Sequence, residues 1–208
     1  MEIVSLVRFL ESADRIMNEN REYLITLDSV VGDGDLGLTM GDGFRAAYMC
    51  VKDGTHTDAG KLLYDAGKAM STAVPSTMGT LMASGLMQAG KALKGKDSLE
   101  PHDWIILFEA YFDGVANRGK AKIGDKTFLD GLHPALDALR SAIEGGKTLE
   151  IAASEAARAA EDGFENTTTM IAVHGRAATR GEASRSLKDP GAAVAALLMK
   201  AFESSLVI

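Results

Sequence analysis

The sequence predicts an all-α fold, on three observations. Long segments repeat apolar residues at three- and four-residue spacing, the period of one helix face. Proline is scarce, with four in all, and alanine, the best helix former, is frequent. Only YLITLDSVV, residues 23–31, reads as a strand, and one strand cannot make a sheet. The expectation is a bundle of eight helices whose short connections join antiparallel neighbours.

In chain order, the first helix covers residues 3–20, the second 38–52 and the third 57–73. The fourth, 78–94, runs out in the glycine and lysine cluster Gly90 to Lys96. The fifth starts after Pro101 and reaches Asn117. The sixth, 126–144, stops at Gly145-Gly146, and the seventh covers 149–170. The last begins at Asp189-Pro190, with aspartate as N-cap and proline in the first turn. Three connections, 28–37, 74–80 and 171–189, are too glycine-rich or too polar to be mere turns.

A length of 208 residues suits one domain over 1–208, and 46% hydrophobic with 25% charged residues is ordinary for a soluble globular chain. The formal net charge of −7 argues against nucleic acid or an anionic membrane surface as partner. A phosphate ligand would need a local device: metal ions, backbone N–H groups or a few placed cations. The single cysteine, Cys50, can form no internal disulfide, which fits a cytoplasmic location. The N-terminus carries acidic residues and lacks the apolar core of a signal peptide. No stretch approaches the roughly 20 apolar residues of a membrane span.

The connection LDSVVGDGDLGLTM holds the main chemical signal. Asp33 and Asp35 are two apart, so in an extended segment they project to one side. Asp28 can approach from the preceding turn. Gly32, Gly34 and Gly37 permit tight backbone between them. Carboxylates packed this closely repel unless solvated or neutralised, and Mg²⁺ favours such a set with waters and phosphates completing its shell. A Ca²⁺ loop of the EF-hand type fails, because the twelfth position from Asp33 is Phe44. The three glycines also spell G-x-G-x-x-G, but the intervening aspartates would face a pyrophosphate uncompensated and no strand–helix alternation follows. An acidic surface loop with ordinary turn glycines is the competing interpretation.

The second connection sets Ser76, Thr77 and Thr80 around Pro75 and Gly79, where a helix begins. Hydroxyls and free N–H groups there can bind phosphate, and Ser76 or Thr77 can equally serve as a plain N-cap. A Walker-type phosphate loop is absent. The nearest match, Gly146-Lys147-Thr148, has Ser141 where the leading glycine belongs.

Taken together, these segments resemble the nucleotide-binding L subunit, or L domain, of dihydroxyacetone kinases. LDSVVGDGDLGLTM matches the aspartate motif, RGKAKIGDKTFLD (118–130) the G-D-K-T stretch, and Gly175-Arg176-Ala177 and Asp189-Pro190-Gly191-Ala192 two further motifs near the nucleotide. The order and spacing of the motifs over nearly the whole chain make the match specific. The chain departs from the family pattern in Leu36, where many members have histidine, in Val74-Pro75-Ser76-Thr77-Met78, where the phosphate loop is richer in glycine, and in Ala183, where an arginine is usual.

The resemblance implies an antiparallel eight-helix barrel with a nucleotide site at one end, and a kinase acting on a short ketose such as dihydroxyacetone. It implies that Asp28, Asp33 and Asp35 hold two Mg²⁺ ions beside ADP or ATP. Ser76, Thr77 and the N–H groups near Gly79 would then cradle phosphate. Lys126 and Thr127 would lie near the base or ribose, Phe128 could stack on adenine, and Arg176 could counter phosphate charge. Asp189, Pro190 and Gly191 would border the nucleotide. A separate K subunit would hold the sugar, and in one subclass a phosphotransferase-system M subunit would rephosphorylate bound ADP. The alternatives are an ADP-binding sensor that contacts a transcription regulator, or a kinase for a tetrulose such as erythrulose. His56, His102, His133 and His174 share no motif; of these His174 alone is a candidate, for an interface.

Overall fold

A computed structural model describes residues 2–207; Met1 and Ile208, the ends of the expected domain 1–208, lie outside the described residues. The described residues form α-helices and 3₁₀ turns, with no strand among them beyond an isolated bridge between Glu2 and Ser98. In order the helices are α1 (Val4–Glu19), α2 (Arg21–Val31), α3 (Leu36–Val51), α4 (Ala59–Ala73), α5 (Thr77–Ala92), α6 (Pro101–Gly119), α7 (Phe128–Glu144), α8 (Leu149–Asn166) and α9 (Pro190–Leu206). Two 3₁₀ segments, Thr167–Thr169 and Arg176–Ser184, occupy the connection between α8 and α9.

The all-α expectation holds, and eight of these helices are the eight expected ones. The ninth is α2, which takes the stretch expected as a strand. Its β-branched residues suggest extended backbone, but Leu24 and Val31 are buried and Leu27 is partly buried. That spacing of three, four and seven is a helical stripe, and packing on α3 overrides local strand propensity. Asp28 therefore stands in the last turn of a helix.

Each helix from α3 to α9 packs on the next, and α1 closes the ring between α9 and α3. The helix α2 lies against α3. One apolar cluster runs through the ring, with Phe9, Trp104, Phe108 and Phe202 meeting in its interior. Phe9 meets the other three edge-on at centroid separations of 5.7–6.3 Å, the favoured geometry for aromatic pairs. Helix starts follow the capping rules. Asp58, Ser76, Thr127, Thr148 and Asp189 each accept a hydrogen bond from a first-turn N–H. Glu100 and Asp103 form a capping box at α6, as Thr127 and Asp130 do at α7. No described helix is long and apolar enough to cross a membrane.

Successive helices reverse direction, so alternate connections gather at one end of the ring. Those after α2, α4, α6 and α8 line a shared cavity. The three unusual connections found in the sequence are all among them.

Candidate functional site

The cavity has a volume of about 490 Å³. Asp28, Asp33 and Asp35 line one side, Ser76 and Thr77 another, and Lys126, Thr127 and Phe128 a third. His174, Gly175 and Arg176 close over from the α8–α9 connection, beside Asp189, Pro190 and Gly191. All of these except Gly79 among the expected site residues border the same space; buried Gly79 sits one turn inside α5.

The aspartates sit on a tight reversal between α2 and α3. Asp28 Oδ2 accepts the Gly34 N–H at 2.9 Å, which folds the loop back on the helix end. Gly34 has φ +76, a left-handed conformation that favours glycine. Asp35 occupies the N-cap position of α3 but makes no side-chain cap bond, and its carboxylate is turned instead to Asp33. One oxygen from each of the three carboxylates lies within 4.8 Å of the others, with Asp28 half-buried and Asp33 and Asp35 exposed. Partial burial, followed by repulsion from Asp33 and Asp28, raises the pKa of Asp35. A cation would relieve that repulsion, and an all-oxygen, partly solvated donor set fits Mg²⁺. Arg176 Nη2 donates to Asp33 Oδ2 at 2.5 Å, so this arginine neutralises part of the cluster. Arg180 Nη2 donates to the Val30 carbonyl at 2.5 Å and ties the same connection to the end of α2.

On the opposite wall, Ser76 Oγ accepts the Gly79 N–H at 3.0 Å and caps α5. Thr77 is exposed at the first position of the helix, where early N–H groups have no intrahelical acceptor. Gly79 is needed for packing: a methyl there would come within 2.3 Å of the Val74 carbonyl.

The G-D-K-T stretch is arranged differently from the expectation. Lys126 has φ +63, is 3% exposed, and points its ammonium away from the cavity into a group of backbone carbonyls. The ammonium is thus committed to these carbonyls, although the residue still borders the cavity. Thr127 Oγ accepts the Leu129 N–H at 3.2 Å as the α7 N-cap. Phe128 is 2% exposed with its ring 6.0 Å from that of Tyr111, so it forms wall and core and offers little open face for stacking. Asp189 Oδ2 accepts the Ala192 N–H at 2.7 Å and caps α9. Enclosure raises its pKa to about 7, against the lowering pull of the Ala192 N–H and the Lys126 ammonium. Pro190 begins α9, and a methyl on Gly191 would lie 3.0 Å from the Phe128 nitrogen, which fixes how closely α9 approaches α7.

His174, expected only as an interface candidate, lines the cavity, and its partner Asp125 is not singled out by the sequence. His174 Nε2 lies 2.9 Å from Asp125 Oδ2, and the Val173 N–H donates to the Asp125 carbonyl at 3.1 Å. Burial opposes the charge on Asp125, but the Lys122 N–H and the His174 ring hold its pKa below the ordinary value. His174 thus faces the cavity, oriented by a buried carboxylate. Leu81, Val115 and Ala121 form an apolar wall. Leu81 and Val115 sit within ordinary helical patterns and Ala121 in the α6–α7 connection, and none of the three gave a local signal.

The chain matches the DAK2 domain family over residues 30–204. It is 32% identical over 195 residues to the Escherichia coli K12 PEP-dependent dihydroxyacetone kinase, ADP-binding subunit DhaL, across 94% of this chain and 93% of that protein. It is 34% identical over 204 residues to the L-erythrulose 1-kinase of Mycolicibacterium smegmatis, where it spans 97% of this chain but 35% of that protein. The dihydroxyacetone kinase of C. freundii in complex with AMP-PNP and Mg²⁺ superposes with a TM-score of 0.71 at 25% identity, over 96% of this chain and 34% of that one. On the match to its family model, the chain belongs to the DAK2 domain family.

Proposed function

We propose that this chain, as one domain over residues 1–208, is the nucleotide-binding, phosphoryl-transferring subunit of a dihydroxyacetone kinase. The observation that carries the reading is the convergence on one cavity of three carboxylates, a helix N-terminus bearing Ser76 and Thr77, and Arg176. Two relatives' names support it: the E. coli protein is called an ADP-binding subunit, and the C. freundii structure holds AMP-PNP and Mg²⁺.

In this reading Asp28, Asp33 and Asp35 hold two Mg²⁺ ions, which supply charge neutralisation for the phosphates. The first N–H groups of α5, with Ser76 and Thr77, bind phosphate oxygens at the positive end of the helix. Arg176 exchanges part of its bond to Asp33 for a phosphate oxygen. Leu81, Val115, Ala121 and the Phe128 wall exclude water from the base. Thr127 and Asp189 hold the starts of α7 and α9 in register around it, and Lys126 acts at a distance. The sugar sits on a separate K subunit, a reading supported by the name of the E. coli relative, which is one subunit of its kinase.

Calorimetric titration of ADP and ATP, with Mg²⁺ and with EDTA, beside an Asp33→Ala variant, tests the reading. Mg²⁺-dependent binding that disappears in the variant supports it. Intact, nucleotide-free protein that binds neither nucleotide refutes it. Turnover with a K subunit then separates the two phosphoryl sources, ATP alone or phosphoenolpyruvate through an M subunit. The erythrulose kinase relative favours including a tetrulose beside dihydroxyacetone in that assay.

A further inference from the structure

The Lys126 ammonium lies within 3.3 Å of five backbone carbonyls: Thr167 at 2.7 Å, Met170 at 3.3 Å, Ser184 at 2.8 Å, Arg185 at 3.0 Å and Leu187 at 2.5 Å. An ammonium has three N–H donors, so some of these bonds are shared, and the oxygens surround the charge as they would a bound cation. The five carbonyls belong to the two ends of the α8–α9 connection. Thr167 and Met170 close its entry, and Ser184, Arg185 and Leu187 its exit. The stretch between them carries His174 and Arg176 to the cavity.

The backbone is arranged to aim this side chain. Lys126 adopts φ +63, which a side chain disfavours and glycine would adopt freely. The turn is held from both flanks. Asp125 Oδ2 accepts the Lys122 N–H at 2.9 Å, and Asp130 accepts the Gly124 and Thr127 N–H groups at 2.6 and 2.7 Å. A strained lysine whose charge is buried among carbonyls, with no carboxylate in direct contact, calls for a compensating role.

We propose that Lys126 is a positioning residue whose ammonium acts as an internal cation, clamping the two ends of the α8–α9 connection so that Arg176 is held toward Asp33. The part that concerns nucleotide rests on the proposed function; the clamp itself does not. Other bonds across the connection, from the Ala172 N–H to Ser184 Oγ at 2.9 Å and from Arg185 Nη1 to the Thr169 carbonyl at 2.6 Å, shape it locally. Without the ammonium, the Met170, Arg185 and Leu187 carbonyls would lose this donor, and those of Thr167 and Ser184 would keep only the Met170 and Leu187 N–H groups at 3.1 and 3.2 Å.

The test uses the full chain and two variants. Lys126→Gly keeps the left-handed backbone at no steric cost and leaves room for a small alkylammonium. Lys126→Met fills the stem volume without the charge. Amide hydrogen exchange is followed in choline chloride, whose cation is too bulky for the cage, and then with n-propylammonium added. Exchange over residues 170–187 should rise about tenfold or more in both variants while α4, α5 and α6 stay protected. Propylammonium should restore protection in Lys126→Gly and not in Lys126→Met. Wild-type protection in the variants, a loss spread evenly through the helices, or no restoration by the amine would each overturn the clamp. Mg²⁺-ADP affinity should fall about tenfold in Lys126→Gly and return with the amine. If wild-type protein binds no nucleotide, the functional reading fails, and the exchange data still decide the role of Lys126.

Discussion

Arg176 and Asp33 stand 143 positions apart in the chain and meet at 2.5 Å beside the cavity. One comes from the connection between α8 and α9, the other from that between α2 and α3. The pair links the cationic and anionic sides of the candidate site, and it is well exposed, at 66% and 47% of side-chain area. An exposed pair of this kind contributes only about 0–1 kcal/mol to stability. Its value lies in positioning.

Arg176→Ala should therefore leave the unfolding midpoint nearly unchanged while weakening Mg²⁺-nucleotide binding by about tenfold. Calorimetry beside thermal unfolding checks both. A drop in stability with intact affinity would mean that the arginine serves the fold alone.

Gly32→Ala should disturb the acidic cluster without altering a carboxylate. A methyl at this position would lie 2.2 Å from Asp28 Oδ1, so the carboxylate must swing away. Backbone at Gly32 has φ −124 and ψ −143, outside the ordinary extended region, so thermal unfolding is followed beside the titration to separate a lost fold from a lost site. Mg²⁺-dependent nucleotide affinity should fall by about tenfold or more, measured by titration with and without EDTA.

Asp189 carries a pH prediction. Its folded pKa is raised, chiefly by enclosure, to about 7. Between the ordinary carboxylate value and that point the folded chain holds a proton that the unfolded chain releases. The contribution of this group to stability therefore falls as pH rises through the window and levels off above it. The difference in unfolding midpoint between wild type and Asp189→Asn, followed from pH 4 to pH 8, should shift in favour of the asparagine variant as pH rises. A difference independent of pH would contradict the raised value.

Asp130→Ala should cost stability. Asp130 is 4% exposed and accepts the N–H groups of Gly124 and Thr127. Removing it strands two donors and opens the α7 capping box, a loss of about 2–4 kcal/mol. Urea unfolding gives the figure. A change below about 0.5 kcal/mol would mean that water takes over both donors.

Much of the fold could be read locally. The eight expected helices recur with most ends shifted by a residue or two, because caps such as Ser76, Thr148 and Asp189 are short-range chemistry; the helix expected to reach 170 ends at Asn166 and gives way to a 3₁₀ turn. The segment 23–31 was misread because β-branched residues at Ile25, Thr26, Val30 and Val31 masked the helical spacing of Leu24, Leu27 and Val31. Which preference wins depends on whether a neighbouring helix covers that stripe.

The candidate site divides along the same line. The sequence by itself determined the aspartate cluster, since Asp33 and Asp35 lie in a short glycine-rich loop that folds back on Asp28 in the last turn of α2. It also determined the hydroxyl-bearing start of α5, set by Ser76 and the three residues that follow. Only the tertiary structure decided that Arg176 reaches Asp33, that His174 rests on Asp125, and that the Lys126 ammonium turns from the cavity into carbonyls 41 to 61 residues away. The physical reason is range. Caps and tight loops are fixed by neighbours a few bonds off, whereas the direction of a long charged side chain follows from which distant carbonyls and carboxylates the closed ring of helices brings within reach.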